Sequence, residues 1–84
     1  MKSVTIYTGP LCNYCEAAKK LLARNSVVYK EINIATTDGA MDEMITKANG
    51  KRTIPQIFFD DLHIGGYDEV RALEKENKLQ YLLK

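Results

Sequence analysis

Cys12 and Cys15 are the only two cysteines among the 84 residues, and they stand as Cys12-Asn13-Tyr14-Cys15 directly behind Gly9-Pro10-Leu11. Residues three apart in a first helical turn share one face. That brings two cysteines within the ~4.4–6.8 Å Cα separation that a disulfide requires. A helix start also presents unpaired N–H groups and the positive end of the dipole, so a thiol placed there loses its proton more easily. The thiolate is the nucleophile of disulfide exchange. Cys12, at the mouth of the helix, is therefore the candidate attacker. Cys15 opens an apolar stripe with Ala18 and Leu22 and is expected to be the shielded, resolving thiol.

Three other readings of the pair are weaker. A structural disulfide across so short a loop would constrain little of the unfolded chain. A closed zinc site needs four ligands, and beyond the two cysteines the chain offers one histidine, His63. Ordinary buried cysteines need no helix start behind a turn.

The elements that must position the pair follow from periodicity. Val4-Thr5-Ile6-Tyr7-Thr8 is β-rich and closed by Gly9-Pro10, and Cys15, Ala18, Leu21 and Leu22 then keep the 3.6-residue period of a helix. Residues 27–34 read as a second strand. Met41, Met44, Ile45 and Ala48 mark a second helix with both methionines as core filler, ended by Asn49-Gly50. Ile54-Pro55-Gln56-Ile57-Phe58-Phe59 is a third strand, and Leu62-His63-Ile64 returns after Asp60-Asp61 as a fourth. Tyr67-Asp68 opens a last helix through Val70 and Leu73 to Leu79, Leu82 and Leu83, with a weak point at Asn77. The first two strands, joined through a helix, should be parallel, and the last two an antiparallel hairpin. The expectation is an α/β chain with a mixed sheet flanked by helices, one domain over residues 1–84.

Composition narrows the function. A formal charge of +1, with 12 basic and 11 acidic residues, lacks the basic excess of a nucleic-acid or membrane-surface protein. No run approaches the ~20 apolar residues of a membrane span. The N-terminus alternates like a strand and has no apolar signal-peptide segment, so a reducing, cytoplasmic location is expected.

Several other residues carry two readings each. Pro55 is a strand-edge proline whose bond is trans by default, or a cis proline that turns the Ile54 backbone toward Cys12. Gly65-Gly66-Tyr67-Asp68 is a turn with Asp68 as helix cap, or a helix start whose N–H groups bind a carboxylate. Lys51 and Arg52 are solvated loop charges, or partners of a ligand carboxylate. Tyr14 is a scattered surface aromatic, or a surface on which a ligand packs. His63 is taken as a plain hairpin residue.

Together, Val4–Thr8, Cys12-Asn13-Tyr14-Cys15, Thr53-Ile54-Pro55-Gln56-Ile57-Phe58 and His63-Ile64-Gly65-Gly66-Tyr67-Asp68-Glu69 resemble the glutaredoxins, most nearly the short bacterial dithiol type. The resemblance covers essentially the whole chain. It implies a thioredoxin fold with a four-stranded mixed sheet in the order 2-1-3-4, three or more helices, and a cis bond before Pro55. It implies catalysis by Cys12 and Cys15 with glutathione as reductant, acting on protein disulfides and glutathionylated proteins, with no obligatory metal or nucleotide. It also implies a glutathione site built from Tyr14, Lys51, Thr53, Ile54, Pro55, Gln56, Gly66, Tyr67 and Asp68. There the tripeptide's cysteine pairs with the Ile54 backbone, its glycine carboxylate meets Lys51 or Gln56, and its γ-glutamyl end meets Gly66, Tyr67 and Asp68.

Two departures from the family pattern stand out. Asn13 replaces a proline, which restores an N–H near the Cys12 sulfur and favours, as an alternative role, a [2Fe–2S] cluster held between two subunits by Cys12 and glutathione. Gly9 stands where many members carry a lysine. A monomer is expected otherwise, and reduction by thioredoxin reductase is the alternative to reduction by glutathione.

Overall fold

Strand β1 (Val4–Thr8) is the hinge of the architecture, because both of its faces and both of its edges are used. In a computed structural model that describes residues 1–84, β1 pairs in parallel with β2 (Tyr29–Asn33) and antiparallel with β3 (Gln56–Phe59). Ile6 thus lies between Glu31 on one side and Ile57 on the other. β3 continues antiparallel to β4 (Leu62–Gly65), so the sheet runs β2-β1-β3-β4, the order that the family resemblance implied. Helices α1 (Asn13–Arg24) and α2 (Ala40–Lys47) follow β1 and β2, and α3 (Tyr67–Lys75) and α4 (Leu79–Leu83) close the chain. No helix is long and apolar enough to cross a membrane.

Successive residues of a strand face opposite sides, and the two cores follow that alternation. Val4, Ile6, Ile57 and Phe59 join Ala18, Leu21 and Leu22 of α1, Val70 of α3, and Leu79 and Leu83 of α4 in the larger core. Tyr7 and Phe58 face the other way and pack with Met44 and Ala48 of α2. Met41, expected inside, is 42% exposed, because α2 is only eight residues long and shows the sheet a narrow stripe.

Three of the helices stop by the same device. Ser26, Asn49 and Asn77 hold left-handed φ values of 60°, 57° and 58°. Behind each, an N–H reaches back five residues: Val27 to the carbonyl of Leu22, Gly50 to Ile45, and Lys78 to Leu73. This is the Schellman closure. At Asn77 it ends the helix outright, so the expected last helix is two, α3 and α4. β2 is shorter than read from sequence, since Val27 belongs to the end of α1 and Val28 lies 89% exposed.

Outside the cores, Arg24 grips Glu74 with two hydrogen bonds of 2.9 and 2.7 Å, and Asn25 adds a third of 2.7 Å, so the ends of α1 and α3 are tied together. At the upper end of β1, the Thr8 hydroxyl donates to Glu31 at 2.8 Å and Lys19 of α1 reaches the same oxygen at 3.2 Å. The Thr8 hydrogen bond first, then Lys19, hold the Glu31 carboxyl below its ordinary value. These contacts fix the strand end and the helix between which the cysteine loop is strung.

Candidate active site

Cys12 is the N-cap of α1, with extended backbone angles of φ −119° and ψ 98°. The N–H of Cys15 donates to the Cys12 sulfur at 3.0 Å. That is the helix-start donor expected for the attacking position; it comes from Cys15 and not from Asn13, the exposed first residue of the helix. Cys12 is half-buried whereas Cys15 is 1% exposed, so the difference in environment read from the apolar stripe is present. The two are joined in a disulfide with their Cα atoms 5.2 Å apart. The Cys12 sulfur lies 3.9 Å from the carbonyl oxygen of Ile54, and the Ile54–Pro55 bond is cis.

Beyond Ile54 opens a cleft of about 230 Å³, lined by Tyr14, Lys51, Thr53, Ile54, Pro55, Gln56, Gly66, Tyr67, Asp68 and Glu69. All nine residues of the glutathione site that the resemblance implied border this one space. Three segments distant in the chain meet there: the first turn of α1, the loop before β3, and the start of α3. Tyr14, 64% exposed, leans on Tyr67 with ring centroids 5.8 Å apart. Lys51 is an exposed cation at the rim and makes no ion pair. Arg52, equally exposed, is not part of the lining.

Three details bear on the expectations. Gly66 rather than Asp68 is the N-cap of α3, and its N–H donates to Glu69 at 2.6 Å. A side chain at Gly66 would stand 3.3 Å from the Pro55 carbonyl oxygen, so a glycine lets the two segments approach. The first-turn N–H groups of Tyr67 and Asp68 have no intrahelical acceptor and lie at the cleft. Second, Gln56 is 2% exposed with its amide engaged, donating to the carbonyl and the hydroxyl oxygen of Thr53 at 3.0 and 3.1 Å. Of the two candidates for a ligand carboxylate, Lys51 is the free one. Third, His63 is not a plain hairpin residue, because its Nε2 lies 2.7 Å from the Gln56 side-chain oxygen. The sequence signal for Glu69 was its place three residues after the cap, where an acidic side chain reaches back. His63 carried no such signal, since its partner is seven residues away across a hairpin.

Gly9 sits against Ile54: a Cβ there would lie 2.7 Å from the Ile54 Cδ1. The volume above the glycine is already filled by that isoleucine.

Comparisons with known proteins agree with this architecture. The family model described as Glutaredoxin matches residues 4–64. Glutaredoxin 3 of Escherichia coli strain K12 is 44% identical over 84 residues, with both chains covered in full. The solution structure of glutaredoxin from Brucella melitensis is 46% identical with a TM-score of 0.85, covering all of this chain and 90% of its own. A buckwheat glutaredoxin–glutathione complex, 27% identical, also has a TM-score of 0.85, covering 98% of this chain and 76% of its own. A paired Cys12–Cys15 at a helix start, on this sheet and with these relatives, makes the chain a thiol–disulfide oxidoreductase that belongs to the glutaredoxin family.

Proposed function

We propose that this protein reduces glutathione mixed disulfides and protein disulfides with glutathione as electron donor, acting as a cytoplasmic monomer. The observation that carries the reading is the cleft beside Cys12. It joins a free cation, Lys51, to an unpaired helix start at Tyr67 and Asp68, with the Ile54 backbone between them. A tripeptide with two carboxylates and one ammonium group complements that lining. Lys51 would take the glycine carboxylate, and the α3 N–H groups the γ-glutamyl carboxylate. Asp68 would take the ammonium, with the thiol of the tripeptide turned toward Cys12.

The reaction divides between the cysteines by exposure. The Cys12 thiolate attacks the glutathione sulfur of a mixed disulfide, forming a Cys12–glutathione disulfide and releasing the substrate as its thiolate. A second glutathione thiolate attacks the glutathione sulfur of that disulfide, regenerating the Cys12 thiolate and releasing oxidised glutathione. On a protein disulfide, Cys12 first forms a mixed disulfide with the substrate. Cys15, once deprotonated, attacks Cys12, expels the reduced substrate and closes the Cys12–Cys15 bond, which two glutathiones reopen.

The test is glutathione-dependent reduction of a small glutathione mixed disulfide by wild type, Cys12→Ser and Cys15→Ser. Activity should vanish with Cys12→Ser and persist with Cys15→Ser, while Cys15→Ser should fail on protein disulfides. A wild type inert with glutathione but active with thioredoxin reductase would refute the donor assignment.

A further inference from the structure

Between Arg52 and Pro55 the main chain makes no backbone–backbone hydrogen bond, although this is the segment that bears the Ile54 carbonyl beside Cys12. Its hydrogen bonds come instead from one side chain. The Gln56 amide nitrogen has two hydrogens, and its two acceptors are the carbonyl and hydroxyl oxygens of Thr53. A carbonyl oxygen only accepts, so the amide nitrogen must face Thr53 and the amide oxygen must face away. Facing away, that oxygen meets His63 Nε2 at 2.7 Å, which must therefore carry a proton and donate it. The His63 ring is itself held: it stacks on Phe58 with centroids 4.9 Å apart and planes 25° from parallel. Register explains the meeting, because Phe58 and His63 are opposed across the hairpin and Gln56 lies on the same face two residues earlier.

We propose that His63 is a positioning residue for the glutathione-pairing edge: its Nε2–H fixes the direction of the buried Gln56 amide, and that amide holds Thr53 and so Ile54 in place beside Cys12. The proposal rests on the glutathione reading of the cleft. Without the His63 donor, the amide oxygen is buried without a partner and the amide is free to rotate. Rotation would turn its oxygen onto the Thr53 carbonyl, acceptor against acceptor, and release the side-chain hydrogen bonds that hold the segment. No part of the chemistry at sulfur passes through His63. Its effect should therefore fall on substrate binding and not on the reactivity of Cys12.

Steady-state kinetics with a small glutathione mixed disulfide test this on three variants. His63→Phe keeps an aromatic ring against Phe58 and deletes the donor. His63→Gln restores an N–H at the reach of Nε2, whereas His63→Asn reaches only as far as Nδ1. His63→Phe and His63→Asn should raise KM roughly five- to tenfold, the factor carried by one buried hydrogen bond, with kcat changed by less than about twofold. His63→Gln should return KM to within about twofold of wild type. Alkylation of reduced Cys12 by iodoacetamide should proceed at the wild-type rate in all three. Wild-type KM in His63→Phe and His63→Asn would overturn the proposal, as would a His63→Gln variant impaired like the other two. If His63→Phe does not fold, the Asn and Gln pair decides alone, since the two amides differ by one methylene. A wild type that does not turn over the glutathione substrate overturns the underlying reading instead, and is recognised before any variant is compared.

Discussion

A methyl group added at Gly9 should reveal how tightly the Ile54 side chain closes over the end of β1. Its Cβ would lie 2.7 Å from Ile54 Cδ1, roughly 1 Å inside the ~3.5–4.0 Å contact distance of two carbons. Gly9 is not in the left-handed region, so sterics alone resist the substitution. Relief comes by rotating Ile54 off its preferred χ2, at about 0.5–1.5 kcal/mol. Gly9→Ala should therefore cost about 1 kcal/mol, which lowers Tm by ~4–8 °C in a domain of this size. Ile54→Val removes the offending methyl. Alone, at this half-buried position, it should cost about 0.5 kcal/mol, the low end of its range. In the Gly9→Ala background it should instead recover about half of the loss, a coupling of about −1 kcal/mol in the double-mutant cycle. Urea denaturation of the four reduced proteins, extrapolated linearly, measures it. Additivity within ~0.5 kcal/mol would refute the reasoning, because it would mean that the two side chains never compete for the same space. The same competition makes Ile54→Val the natural companion of any attempt to install a lysine at position 9.

Two titrations follow from the network of charges. Glu74 is lowered to about 2, by the Arg24 hydrogen bonds first and Asn25 second, so its contribution to stability is complete above its ordinary 4.5 and is lost as pH falls toward 2. The Tm gap between wild type and Glu74→Gln should accordingly close over that interval, and a gap that stays constant would contradict it. Burial first, and the hydrogen bond to Glu43 next, raise Tyr7 above its ordinary 10.0. Tyr7 should then ionise late in an ultraviolet titration, and Tyr7→Phe should abolish that late step. Because the folded value is the raised one, the stability tied to Tyr7 is present below pH 10 and disappears as pH climbs through the folded value.

The parts of this molecule written locally were legible in its sequence. β1 declared itself by alternation and a Gly-Pro stop, α1 by its apolar period, and the Cys12–Cys15 pair by its place between them. The end of α2 was readable in Asn49-Gly50, because a left-handed residue is what a helix terminus needs. Asn77 carried the same information, but an apolar period resuming at Leu79 argued for a continuous helix. Harder to read were relations that exist only after the sheet is assembled. Gln56 and His63 meet because the β3–β4 register opposes His63 to Phe58, and the register shifts within that ladder between Ile57 and Phe58. Whether Gly66 or Asp68 caps α3 turns on two residues of helix start, and it was settled by the side chain of Glu69 reaching back. The Ile54–Pro55 bond was open on physics, since either isomer is compatible with the strand edge.

The unequal cores on the two faces of the sheet imply that the molecule comes apart in sections. Eleven buried residues lie on the side of α1, α3 and α4, and only four on the side of α2. Opening free energy scales with what an element buries, so α2 is the cheaper panel to lift. It is flanked by Gly39 and Gly50 with φ of 75° and 91°, and such glycines let a chain swing without distorting its neighbours. A fluctuation that bares Tyr7 and Phe58 can therefore leave α1 seated, with Cys12 and Cys15 still at its head. Amide exchange should therefore run slower along the body of α1 than along α2, with the cysteine pair carried on the slower of the two helices.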